Sequence, residues 1–270
     1  MKIVLLCGSQ ANQRALASKI SKDHELAGIV IEKKTMKRKW TISFVLKKIA
    51  DRLFFADILS SWKNMLLHYE KQFPDFPVTK KLITENINSK ESVAFIREAQ
   101  PDLVMVSGTR LVREEILRLA VPRGIINLHT GLSPYVKGGP NCTNWCIADD
   151  MIHLIGNTVM WIDSGIDSGN IITTEAVSFD GTEDLSGIHL KVMEHAHSLY
   201  LAAVQKILHD PQNCPSVKQQ DIAPGRLYKN KEWNQAAKSR LRSNMKKFGK
   251  TISSAAYREK QKELKLIPLR

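Results

Sequence analysis

Four short, nearly unbroken apolar runs rich in Val and Ile, at 2–7, 26–31, 102–107 and 124–129, constrain this chain more than any other feature. They are too short for buried helices and lack the alternation of a half-exposed strand, so they read as strands covered on both faces. Segments of helical spacing separate them: 11–22 after the first run, and 88–99 behind a cap at Asn88 or Ser89. Buried strands alternating with helices imply an α/β fold, with a mostly parallel twisted sheet and helices on both faces. Two more strands are expected at about 152–162 and 170–178, separated by the turn-rich Asp163-Ser164-Gly165-Ile166-Asp167-Ser168-Gly169. A long helix then runs from an N-cap at Thr182 to about Leu208, with Leu185, Ile188, Val192, Ala196, Leu199 and Ala203 as its core-facing stripe.

Charge divides the chain. The net charge is +13, yet residues 211–270 hold 15 Lys/Arg against 4 Asp/Glu while the first 210 hold 25 against 23. Residues 1–210 therefore read as one nearly neutral domain. Residues 211–270 read as a basic, largely helical C-terminal extension, joined through a linker at Pro211–Pro224. That extension has few large apolar residues, too few for its own core, and would pack on the main domain, on a partner, or only in part.

A second basic run, Lys33, Lys34, Lys37, Arg38 and Lys39 before Trp40, adjoins an aromatic segment with Phe44, Phe54, Phe55, Trp62 and Tyr69. It fits either a nucleic-acid surface or the solvated face of an inserted helical pair. No apolar run reaches the roughly 18–20 residues of a membrane span, and the opening stretch reads as a strand, not a secretion signal, so a cytoplasmic protein is expected. The four cysteines suggest no disulfide framework. Cys142 and Cys146 lie four apart on a helix but lack further paired ligands, so no metal site is expected. His195 and His197 read as polar helix-surface residues.

The chemistry concentrates in Asn127-Leu128-His129. Side chains two apart on a strand share a face, so the amide and imidazole can converge on one substrate atom. With Asp167 they make an oxyanion donor, an acid/base and a proton acceptor, the set that acyl transfer to an amine requires. Taken singly, each also suits a plain turn or strand end.

The segment Gly124-Ile125-Ile126-Asn127-Leu128-His129-Thr130-Gly131-Leu132-Ser133-Pro134, followed by Lys137-Gly138-Gly139-Pro140, resembles the signature of the folate-dependent formyltransferases. The loop 163–169 is similar to that family's Asp-x-Gly-x-Asp-x-Gly motif. The resemblance covers roughly 1–210 and implies a Rossmann-like fold and formyl transfer from 10-formyltetrahydrofolate to a primary amine. It implies that Asn127, His129 and Asp167 are catalytic. It also implies that Ser107, Gly108, Thr109, Arg110, the turn Gly131-Leu132-Ser133-Pro134, and Asp163 contact the donor. The turn departs from the usual Ser-Leu-Leu-Pro, and Gly8-Ser9-Gln10-Ala11-Asn12 only loosely resembles the glycine-rich phosphate loop of glycinamide ribonucleotide formyltransferases. The expected acceptor is a small molecule, the amine of a nucleotide-linked amino sugar, with glycinamide ribonucleotide and methionyl-tRNA as alternatives. Methionyl-tRNA formyltransferases add a C-terminal β-barrel, for which the extension is short and too helical. A non-catalytic protein holding nucleic acid or an anionic surface through 33–39 and 225–270 is the rival of another class, and a homodimer is left open.

Overall fold

The computed structural model describes residues 1–33 and 41–269; within 42–47, the side chains of all but Val45 lie outside the described set. The basic run from Lys34 to Trp40 therefore falls outside the description. In chain order the first half comprises β1 (Lys2–Gly8), α1 (Ala11–Asp23), β2 (Glu25–Glu32), α2 (Ile42–Phe54), α3 (Ala56–Gln72), β3 (Lys81–Thr84), α4 (Lys90–Ala99), β4 (Leu103–Ser107), α5 (Glu114–Leu117) and β5 (Ile125–His129). The second half comprises β6 (Val136–Gly138), α6 (Cys142–Ala148), β7 (Gly156–Trp161), β8 (Ile171–Ala176), α7 (Leu185–His209), β9 (Arg226–Tyr228), α8 (Gln235–Met245), α9 (Phe248–Ile252) and α10 (Ala255–Lys262).

Among the described residues the main sheet has the order β3-β2-β1-β4-β5-β7-β8. The first five strands are parallel; β7 runs antiparallel to both β5 and β8. This is the Rossmann-like, mostly parallel sheet that the apolar runs imply. Alternate residues of β1 feed two cores. Ile3, Leu5 and Cys7 pack with Leu16, Ile20 and Tyr200, whereas Val4 and Leu6 pack with Ile96, Val104 and Ile116. Strand order reverses direction between β1 and β4, where Gly8 and Gly108 nearly touch. A Cβ on Gly8 would sit 3.1 Å from the Gly108 carbonyl oxygen, so a side chain there would press on the backbone at this switch point, where such sheets hold ligands.

Several expectations shift at element ends. Ser89 is the cap of α4, accepting from Ser92 N at 3.2 Å. The cap of α7 is Asp184, accepting from Gly187 N at 2.7 Å, not Thr182, which bonds Asp180 in the preceding turn. The expected strand 152–162 begins only at Gly156, with a 3-10 turn at Ile152–Leu154 before it. His197 is no surface residue. It is fully buried on α7 beside Tyr69 and Lys19, and burial together with the Lys19 charge pushes its pKa down to about 3. His195 is partly buried, between Asn157 Nδ2 at 2.9 Å and Glu175 Oε2 at 3.2 Å.

The C-terminal extension packs on the main domain. β9 adds in parallel to β6, and α8 crosses α6. Tyr228, Leu241, Phe248, Ile252 and Tyr257 bury against Trp145, Ile147 and Leu132 in one cluster, at roughly 1.5–3 kcal/mol for each fully buried apolar side chain. Farther on, Ile267 bonds Thr174 through Thr174 N to its carbonyl at 2.9 Å, covering the outer edge of β8. The stretch read as a linker is also fastened, through a bridge between Val217 and Ile171.

Candidate active site

Asn127 and His129 project from the same face of β5, as their spacing predicts. Asp167 arrives by a longer route. Because β7 is antiparallel, its C-terminal Trp161 lies opposite Ile126, so the 163–169 loop must travel back to reach His129. It does so with Asp167 in the left-handed region at φ +49°, a conformation that Asp tolerates better than most residues. Asp163 braces this loop from within, accepting from Gly165 N at 3.0 Å and Ser168 Oγ at 2.7 Å. Its carboxylate is thus occupied by the turn.

His129 is 8% exposed. Its Nδ1 faces Asp167 Oδ2 at 3.4 Å, and the same carboxylate oxygen accepts from Gly138 N at 3.1 Å. On the other side, Nε2 lies 3.3 Å from the Val136 carbonyl oxygen and 3.6 Å from Cys142 Sγ. Burial alone would depress the imidazole pKa. The Asp167 charge, aided by Cys142 and the Val136 carbonyl, reverses this and raises it to about 9. The ring is therefore an imidazolium at neutral pH, with both N–H groups directed at acceptors within the chain. The Asn127 amide, by contrast, is partly exposed and makes no side-chain hydrogen bond among the described residues. Of the two expected oxyanion donors, Asn127 is ready and His129 must first give up the long Val136 contact.

The remaining expected contacts divide. In the turn, Gly131, Leu132, Ser133 and Pro134 are all buried. Leu132 belongs to the Trp145 cluster, and Ser133 N donates to Thr158 Oγ1 at 2.9 Å. A Cβ on Gly131 would strike the His129 ring and come within 2.9 Å of Cys142 Sγ and the Val136 oxygen, so the turn supports the histidine from behind. Pro134 lines a cavity that it shares with Lys137, Ser168 and Gln219.

After β4, Ser107 is buried and Gly108 turns the chain at φ +70°. Thr109 Oγ1 donates to the Arg110 carbonyl at 2.8 Å. Arg110 is tied to the ends of β2 and β3: its N donates to the buried Glu32 at 2.8 Å and its Nη1 to the Glu85 carbonyl at 2.7 Å. Cys142 and Cys146 do share α6, and both are buried thiols.

Two residues that sequence reasoning missed organise this region. Glu32, 1% exposed at the end of β2, holds the 107–110 loop. Gln219, from the presumed linker, donates its Nε2 to the Asp167 carbonyl at 2.7 Å and to the Gly169 carbonyl at 2.9 Å. A glutamine in a proline-rich stretch carries no local signal of such a role.

A buried histidine–carboxylate pair beside a free amide, on an open α/β sheet, is a site suited to acyl-group transfer. The family model described as "Formyl transferase" matches residues 59–204, and the chain belongs to that family. It is 33% identical over 106 residues to a methionyl-tRNA formyltransferase of Geobacter metallireducens, covering 39% of this chain and 33% of that protein. It is 28% identical over 226 residues to that of Syntrophomonas wolfei, covering 82% of this chain and 62% of the relative. The chain thus spans between a third and just under two thirds of these curated relatives. A solved N-formyltransferase of Helicobacter canadensis, in complex with folinic acid and dTDP-3-aminofucose, shares the fold. Its TM-score is 0.54 at 17% identity, over 91% of this chain and 81% of that one. Among the described residues no helix is long and apolar enough to cross a membrane, and no cluster of three His, Cys, Asp or Glu is arranged for a metal.

Proposed function

We propose that this protein transfers a formyl group from 10-formyltetrahydrofolate to the primary amine of a small, nucleotide-linked amino sugar. The observation that carries the reading is the Asp167–His129 pair, whose charge is held beside the unpartnered Asn127 amide. The donor supplies an activated formyl carbon and a tetrahydrofolate leaving group. Asn127 donates its N–H to the formyl oxygen as that atom gains negative charge, and the His129 imidazolium adds positive potential. The amine nitrogen bonds to the formyl carbon and Asp167 takes its proton directly or through water; the bond to the donor nitrogen then breaks as a proton is returned to that nitrogen, which leaves as tetrahydrofolate.

The residues present fit an amphipathic donor with an aromatic head. Leu111 and Ile166, on the loops after β4 and β7, are 42% and 55% exposed, which offers apolar surface on both loops. Support for an amino-sugar acceptor comes from the Helicobacter canadensis complex, which contains an aminofucose nucleotide. Glycinamide ribonucleotide and methionyl-tRNA are the competing acceptors, and the latter has the support of the curated relatives' names.

The test is to supply 10-formyltetrahydrofolate with dTDP-3-aminofucose, other nucleotide amino sugars, glycinamide ribonucleotide and charged initiator tRNA. Tetrahydrofolate release and a formyl mass gain on one amine identify the acceptor. No transfer to any of them, together with no binding of folinic acid, refutes the reading.

A further inference from the structure

None of the described side chains of α2 is buried. Val45, Ile49 and Leu53, spaced four apart, form one stripe along the helix, and Ile49 and Leu53 are 50% and 73% exposed. Phe54 and Leu59, at the turn into α3, are exposed as well. A helix of 13 residues is marginal in water unless burial of an apolar face sustains it. This chain holds α2 by polar ties instead. Lys238 Nζ lies 2.6 Å from Asp51 Oδ1, and Arg242 Nη1 donates to the Phe54 carbonyl at 2.9 Å. The apolar stripe itself is left facing outward.

The charge around the stripe has one sign. Residues 33–59 hold eight Lys/Arg and two Asp, and residues 238–250 hold six Lys/Arg and no Asp or Glu. Both aspartates are taken, Asp51 by Lys238 and Asp57 by Arg242 at 3.4 Å. Arg52 is exposed next to Leu53, and Lys246 is exposed one helical turn beyond Arg242. The Arg242 contact with Phe54 brings this basic end of α8 to the end of α2. An apolar stripe framed by cations fits a surface that is anionic outside and apolar beneath, which describes a lipid leaflet with acidic headgroups. Single-stranded nucleic acid would need exposed rings on which to stack its bases. Here Phe55 and Tyr69 are buried, Trp62 packs edge-on against His189, and the exposed stripe is aliphatic. A second copy of the chain would bring two basic rims face to face.

We infer that the outward face of α2, with the adjoining end of α8, is a docking surface for an anionic lipid bilayer. The helix lies in the plane of the interface, with Val45, Ile49 and Leu53 turned toward the acyl chains and Arg52, Arg242 and Lys246 against the headgroups. None of these residues belongs to the Asp167–His129 site, so the protein binds peripherally and keeps that site intact at the membrane surface.

The test is sedimentation of the full chain with vesicles of phosphatidylglycerol and phosphatidylcholine in equal parts, and with vesicles of phosphatidylcholine alone. Wild type should bind the anionic vesicles about tenfold or more tightly than the neutral ones, and added salt should weaken that binding. The Ile49→Glu/Leu53→Glu double variant, altered at exposed positions, should lower the partition coefficient on anionic vesicles by on the order of tenfold or more. Lys246→Glu should lower it about fivefold or more. Tm and folinic acid affinity should be unchanged in both variants. Equal binding to the two kinds of vesicle, or full binding by the Ile49→Glu/Leu53→Glu variant, overturns the surface. So does a wild-type chain that ignores both kinds of vesicle, whether it instead binds a single-stranded oligonucleotide or forms a dimer that the same variant abolishes. The formyltransferase reading stands in each of these cases, since it is decided by formyl transfer and folinic acid binding.

Discussion

Asp167→Asn is the most informative single change in this protein. It nearly preserves the side-chain shape and leaves an oxygen to accept from Gly138 N, but it removes the charge opposite His129 Nδ1 at 3.4 Å. In wild type the His129 pKa is raised from 6.5 to about 9 although burial opposes ionisation. At 1.36 kcal/mol per pH unit, that rise corresponds to about 3 kcal/mol in favour of the folded imidazolium. The sign follows from linkage. A group whose folded pKa exceeds its unfolded one stabilises fully below the unfolded value, and that stabilisation is lost as pH rises through the folded value. Wild-type stability should thus fall by about 3 kcal/mol between roughly pH 6 and pH 9.5 through this group, and Asp167→Asn should lack that component. Urea denaturation of both proteins across this range isolates the effect, since other titrating groups cancel in the difference. An NMR titration of the His129 ring should place wild type near 9 and the variant below the unperturbed value, where burial is left to dominate. Parallel stability profiles, or a wild-type ring titrating near 6.5, would refute the assignment of the ion pair. Turnover of the variant should fall by on the order of a hundredfold or more.

Asn127→Ala should lower turnover by about 10²- to 10³-fold, as for loss of an oxyanion donor, while shifting Tm by less than about 2 °C, because its amide has no partner to lose. Unchanged turnover would place the oxyanion elsewhere. Tyr200→Phe removes a hydroxyl that bonds Val106 N at 2.9 Å and reaches the carbonyls of Val106 at 3.1 Å and Ile126 at 2.9 Å, between β4 and β5. Urea unfolding should show a loss of about 1–3 kcal/mol, and a change under about 0.5 kcal/mol would show that water replaces it. Deleting residues 211–269 should give an aggregating chain, because it bares Leu132, Trp145 and Ile147 and the edge of β8. A soluble, cooperatively melting product would show that residues 1–210 fold alone.

Four of the five parallel strands, β1, β2, β4 and β5, are legible in the sequence because each is a near-continuous apolar run, and Asn127 and His129 because a strand's two-residue period leaves no freedom in where they point. β3 was not readable. Its four residues, Lys81–Thr84, are never fully buried, so hydrophobicity does not mark them. The buried state of His197 was hidden because α7 is covered on more than one side, by the sheet and by α3, so a polar residue off the main stripe still lies inside. The turn 131–134 displayed its motif but not its covering. Gly225 passes so close to the Pro134 carbonyl that no side chain fits between them, a contact made by residues ninety positions downstream. Gln219 was invisible for the same reason, since its partners are backbone carbonyls, which carry no residue identity.

The Gln219 clamp also has a temporal side. Fifty-two residues separate it from the Asp167 carbonyl it holds. At a synthesis rate of about 5–20 residues per second, a ribosome needs roughly 3–10 s to pass from one to the other. Once β8 is complete at Ala176 the growing chain contains every strand of its main sheet, while the Asp167 and Gly169 carbonyls still lack the Gln219 amide that holds them. A pause in translation between residues 177 and 218 holds the nascent protein at that stage, with the sheet strands made and the Gln219 hold on the Asp167 loop still missing. Synonymous codon choice across 177–218 is therefore a variable to which the placement of the Asp167 loop should respond.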